Sequence, residues 1–105
     1  MEIKFDKKYL QELYEEGKTT DKKYRFQPNI VKKYQSRIET LESAENIEKL
    51  FAINSLHYKV LEGDKKGTSS IRVNDQYRIE FKTIQVISET VVTICNIIEL
   101  SNHYK

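Results

Sequence analysis

Two histidines, one tyrosine and a run of cations are the residues of this chain that could do chemistry. His57 opens a stretch that also holds Lys59, Lys65, Lys66, Arg72, Arg78 and Lys82, while His103 and Tyr104 stand at the other end of the sequence. Histidine changes charge near neutral pH, so it can give or take a proton. A guanidinium presents a planar fork of donors that fits phosphate oxygens, and a lysine adds a point charge. Together they offer proton transfer beside cations suited to phosphate oxygens. Glu62, Asp64, Asp75 and Glu80 interleave with these cations, so an ordinary solvated surface is the competing reading. Glu80 is then a candidate ion-pair partner for Arg78.

Other chemistries lack their residues. Two histidines and a single cysteine, widely separated, give no zinc spacing. No glycine-rich phosphate loop lies between a strand and a helix, and Ser69 and Ser70 have no elbow pattern around them. No cofactor or metal is expected. Cys95 sits in an apolar run and reads as a buried, inert thiol. The seven tyrosines fall mostly at core spacing.

The elements that must hold these side chains fit into one domain, residues 1–105. The net charge of +2 is too mild to establish nucleic-acid binding. The opening Met1-Glu2-Ile3-Lys4 lacks the apolar core of a signal peptide, so none is expected, and no apolar run approaches the ~20 residues that span a bilayer. With a lone cysteine, this predicts a cytoplasmic protein without a membrane role.

The first half has helical period. Asp6 is the expected N-cap of a helix carrying Tyr9, Leu10 and Leu13, and Gly17 the expected stop. A polar connector with Lys18, Lys22, Lys23 and Arg25 follows. Pro28 then starts a second helix with a stripe of Ile30, Val31, Tyr34, Ile38 and Leu41. Ser43 is the expected cap of a short third helix through Leu50, which turns Ile47 and Phe51 towards the core. The second half has strand character over 57–62, 69–73, 77–82 and 90–100. The last is expected to be central and buried on much of both faces. Around Asn74-Asp75-Gln76, a two-residue turn would mix apolar and charged residues on each face. A three-residue loop or a bulge instead collects Ile71, Val73, Tyr77, Ile79 and Phe81 on one face and Arg72, Arg78, Glu80 and Lys82 on the other. The expected fold is therefore α+β: N-terminal helices on one face of a small, mostly antiparallel four-stranded sheet, with the opposite face polar and cationic.

The stretch Leu61-Glu62-Gly63-Asp64-Lys65-Lys66-Gly67, followed by Ser70-Ile71-Arg72-Val73-Asn74-Asp75-Gln76-Tyr77-Arg78-Ile79, resembles the signature of the HigB branch of the RelE/ParE toxin superfamily. The resemblance implies a RelE/ParE-like fold and a toxin of a type II toxin–antitoxin system. Such a toxin enters the ribosomal A site and cuts mRNA without a metal. It also implies a helix-turn-helix antitoxin as partner, with operator DNA reached only through that antitoxin. Carried onto this sequence, Arg78 and Lys65 would stabilise the charge on phosphorus, and His57, His103 or Tyr104 would move protons. Lys59, Lys66, Arg72 and Lys82 would hold RNA, and the connector cations would touch ribosomal RNA. The chain departs from the pattern at Glu62, often lysine in relatives, and at Thr68-Ser69, where an aromatic residue precedes the Ser-Ile block. It departs again at Asn102, near a C-terminal carboxylate, and at Lys65, where the family has arginine. Two other readings of the fold are a ParE-like, non-catalytic gyrase inhibitor and an interaction module without toxicity.

Overall fold

The computed structural model describes residues 1–102. It is a single sheet with helices on one face. The elements are β1 (Glu2–Phe5), α1 (Lys8–Glu16), α2 (Pro28–Ser43), α3 (Ile47–Phe51), β2 (Lys59–Val60), β3 (Ser69–Arg72), β4 (Tyr77–Ile87) and β5 (Val91–Asn102). The strand order is β1-β5-β4-β3-β2, and only the β1–β5 pair is parallel.

The expected α+β architecture holds, with five strands instead of four. The extra strand is β1, in register from Glu2 opposite Ile94 to Phe5 opposite Ile97. This also moves the start of α1. The Asp6 amide still donates to the Ile97 carbonyl at 2.8 Å, continuing the ladder, so Lys7 is the N-cap and no side chain caps it. At the other end Gly17 takes φ 75°, and its N–H bonds the Leu13 carbonyl, the left-handed close expected of a glycine.

The apolar stripe of α2 is buried at all five expected positions, and Tyr34, fully covered, donates from its hydroxyl to the Leu10 carbonyl at 2.7 Å. Tyr9 ties α1 to the sheet: its hydroxyl accepts from the Leu100 N–H, and its ring stacks on Tyr24 at 3.6 Å. The short third helix starts later than expected. Ser43 ends α2, and Asn46 caps α3 by accepting from the Lys49 N–H. Leu50 is its buried residue. Ile47 packs at the margin of the core, while Phe51 is 57% exposed and rests edge-on against Tyr58.

The β3–β4 register is the one that collects the apolar residues. Ile71 lies opposite Ile79 and Arg72 opposite Arg78, with Asn74 Oδ1 accepting from the N–H groups of Gln76 and Tyr77 to close the loop. β4 runs on to Ile87, beyond its expected end at Lys82. β5 is interior to the sheet but buried on one face: Thr93, Cys95, Ile97 and Leu100 are covered, the residues between them half-covered, and Val91 and Val92 exposed. A bulge between Glu80 and Phe81 in register keeps Ile97 and Leu100 both on the helix side.

Candidate functional site

The helix-free face of the sheet presents two rows of side chains. Lys59, Ser70, Glu80 and Glu99 face one another in sequence across β2, β3, β4 and β5, and Arg72, Arg78 and Ser101 form the next row. Between them lies an open concavity of about 160 Å³, lined by His57, Lys59, Leu61, Ser70, Arg78, Glu80 and Ser101. At ~30 Å³ per water molecule, its size is on the scale of a phosphate group.

Both rows set like charges directly opposite, which a sheet normally avoids. Each is relieved locally. Arg72 pairs with Asp75 in the adjoining loop. Arg78 is half-buried and steadied through Nη1 by the carbonyls of Asn74 (2.5 Å) and Tyr77 (3.1 Å). Carbonyls orient a guanidinium without neutralising it, and among the described residues Arg78 forms no ion pair. In the other row Glu80 is only 7% exposed. Its partner is Lys65, at 2.8 Å, rather than Arg78. That hydrogen bond, with added attraction from the Glu80 and Glu99 charges, outweighs partial burial and raises the Lys65 ammonium above its ordinary range, so it stays protonated.

His57 follows the turn Asn54–Leu56 instead of opening the strand. It is the one non-glycine described residue with positive φ, 45°. An imidazole held in the left-handed region costs backbone energy, and such positions cluster at functional sites.

Of the residues singled out from the sequence, the structure brings His57, Lys59 and Arg78 into one concavity. Lys65 reaches its rim through Glu80. Lys66 and Lys82 are exposed outside it, and Arg72 is engaged by Asp75. His103 and Tyr104 lie outside the described residues. Leu61, Ser70 and Ser101 had no role in the sequence reading. The strand register is the signal that finds the two serines: Ser70 faces Glu80 and Lys59, and Ser101 faces Arg78. One further expectation holds and one changes. Cys95 is buried, as expected, and burial pushes its thiol up to about 11, as an inert cysteine requires. The open face, however, is cationic only around the concavity and turns apolar towards the β4–β5 tip, where Ile84 and Val86 are exposed.

Comparison with known proteins agrees with this architecture. The family described as RelE-like toxin of type II toxin–antitoxin system HigB matches residues 3–94. Toxin HigB-1 of Vibrio cholerae serotype O1 (strain ATCC 39315 / El Tor Inaba N16961) is 33% identical over 89 residues, covering 84% of this chain and 90% of that protein. The solved structure of the YoeB/ParE toxin from Agrobacterium tumefaciens superposes with a TM-score of 0.60 over 99% of this chain and 100% of that one. At 20% identity it speaks for the fold alone. No described helix is long and apolar enough to cross a membrane. Sequence and fold thus lead to one conclusion: the chain belongs to the HigB-like branch of the RelE-like toxins, the toxin components of type II toxin–antitoxin systems, whose partner is an antitoxin.

Proposed function

We propose that this toxin is a ribosome-dependent endoribonuclease that cleaves mRNA in the A site, acting in the cytoplasm and held in check by a helix-turn-helix antitoxin. The observation that carries the reading is the Arg78 guanidinium, oriented by two carbonyls, without an ion-pair partner among the described residues and open to a phosphate-sized concavity that His57 also lines. In the proposed step the 2′-oxygen of one nucleotide bonds to the adjacent phosphorus as its proton passes to a base on the protein. The bond from phosphorus to the 5′-oxygen of the next nucleotide breaks, and that oxygen takes a proton from an acid. The products are a 2′,3′-cyclic phosphate and a 5′-hydroxyl. Arg78, seconded by Lys59 and by Lys65 at the rim, offsets the charge that builds on the phosphoryl oxygens. His57, His103 and Tyr104 are the proposed proton carriers. Lys66, Arg72 and Lys82 are the proposed contacts to the RNA backbone outside the concavity.

The test is a translation reaction in which message ends are mapped with and without purified protein. Cuts within codons that appear only with ribosomes present support the proposal. Intact messages together with a block of gyrase supercoiling would replace it with non-catalytic gyrase inhibition.

A further inference from the structure

Past the end of β3, β4 and β5 continue as a ribbon that β1 flanks on the β5 side only as far as Ile94. β3 covers β4 only from Arg78 to Phe81, so from Lys82 to Ile87 the outer edge of β4 pairs with no strand among the described residues. Ile84, Val86 and Val92 are exposed on one face of this ribbon, and Ile87 and Val91 on the other. An isolated hairpin is marginal in water. A free apolar edge is also a template for another strand, which proteins ordinarily blunt with charge, proline or bulges. Between Thr83 and Ile87 there is no charge and no proline, and the paired segment Val91–Ile97 carries no charge either.

We propose that this edge is the interface between two copies of the toxin, joined by antiparallel β4–β4 pairing about a two-fold axis through Gln85. The edge is self-complementary in that register. Ile84 of one copy faces Val86 of the other and Val86 faces Ile84, on one side of the joint sheet. Thr83 faces Ile87 on the other side, and the Gln85 carboxamides, each both donor and acceptor, meet on the axis. Ser88 of the second copy then sits opposite Lys82, so a hydroxyl meets the ammonium at both ends of the paired segment. An axis one residue earlier, through Ile84, would set Lys82 against Val86 instead and lose both features. Five exposed apolar side chains per copy make a small interface, well below the ~800 Å² per partner of a stable complex. The association is therefore weak and concentration-dependent. It leaves the Arg78 concavity open and is independent of the nuclease reading.

Sedimentation of the purified full chain from about 1 to about 200 µM, the range expected of so small an interface, tests this directly. The expected result is a mass that rises from monomer and levels at dimer. Ile84→Lys and Val86→Lys, both at exposed positions, should hold it at monomer while circular dichroism shows the fold intact. Gln85→Cys gives a second, positive readout. Residues on the axis lie within disulfide reach, so mild oxidation should link copies through position 85, whereas Glu89→Cys should not link. A chain that stays monomeric throughout overturns the proposal, as does a mass that climbs past dimer without levelling. Protection of the Lys82–Ile87 amides that appears only when the co-encoded antitoxin is added also overturns it, and assigns the ribbon to the antitoxin.

Discussion

The two halves of β4 carry neighbouring stretches of one strand into opposite circumstances. From Tyr77 to Phe81 the strand lies between β3 and β5, with Ile79 and Phe81 fully buried under the helices and Arg78 and Glu80 turned to the open face. From Lys82 to Ile87 it has one neighbour and no helix cover, and its apolar side chains meet solvent. A charge is held in place where its backbone is held on both sides. The first half can therefore orient a guanidinium, and the second is suited only to meeting another surface.

The widest gap between the halves should be in stability. Phe81→Ala empties a fully buried site and is expected to cost about 3–5 kcal/mol, while Ile84→Ala, three residues on, should stay within about 0.5 kcal/mol. Urea titration of both variants checks this. Comparable losses would mean that the outer half is also packed. Next is the quality of the cation in the first half. Arg78→Lys keeps the charge but loses the fork and its carbonyl supports, and should slow message cleavage by about tenfold. An unchanged rate would reduce Arg78 to a point charge.

Alkaline pH separates the covered part of the sheet from the ribbon in a third way. Burial pushes the Cys95 thiol from 9.0 to about 11 and the Tyr9 hydroxyl from 10.0 to about 12. Groups raised in the folded state give stability that is complete below their ordinary values and lost as pH rises through the raised ones. Stability should hold up to about pH 9 and fall from there towards about 12. In Cys95→Ala the fall should begin about one unit later, with the buried tyrosines Tyr9 and Tyr34. A urea midpoint flat across that range would contradict the burial of these groups. The smallest effect concerns Glu80. Glu80→Gln releases Lys65, which is half exposed, so solvent screening limits the stability change to about 1 kcal/mol or less. The expected signature is a Lys65 ammonium that titrates at lower pH by NMR.

Much of the architecture was legible because burial writes itself into spacing. The stripe from Ile30 to Leu41 has one helical face, and a single hairpin register gathers Ile71, Val73, Ile79 and Phe81. What escaped depends on distant partners. Glu2–Phe5 is too short for its alternation to stand out, and it is a strand only because β5, some ninety residues later, offers a parallel edge. Asp6 looks like a cap in isolation, yet its amide is claimed by Ile97. The length of β4 was missed because exposed Thr83–Ile87 has no core to pattern it. In the concavity, the types and spacing of His57, Lys59 and Arg78 were visible. Ser70, Ser101 and the Lys65–Glu80 pairing were not, because cross-strand neighbours follow from register rather than from nearness in the chain.

The central claim is that the guanidinium at position 78 acts on a phosphodiester of the message. Mapping message ends in a translation reaction with the native chain and with Arg78→Ala tests it most directly. The account predicts codon-internal cuts with the former and a loss of about 10²-fold or more with the latter, the scale of a removed oxyanion donor. The fold should remain intact by circular dichroism. Cleavage by Arg78→Ala within a few-fold of the native rate would contradict it.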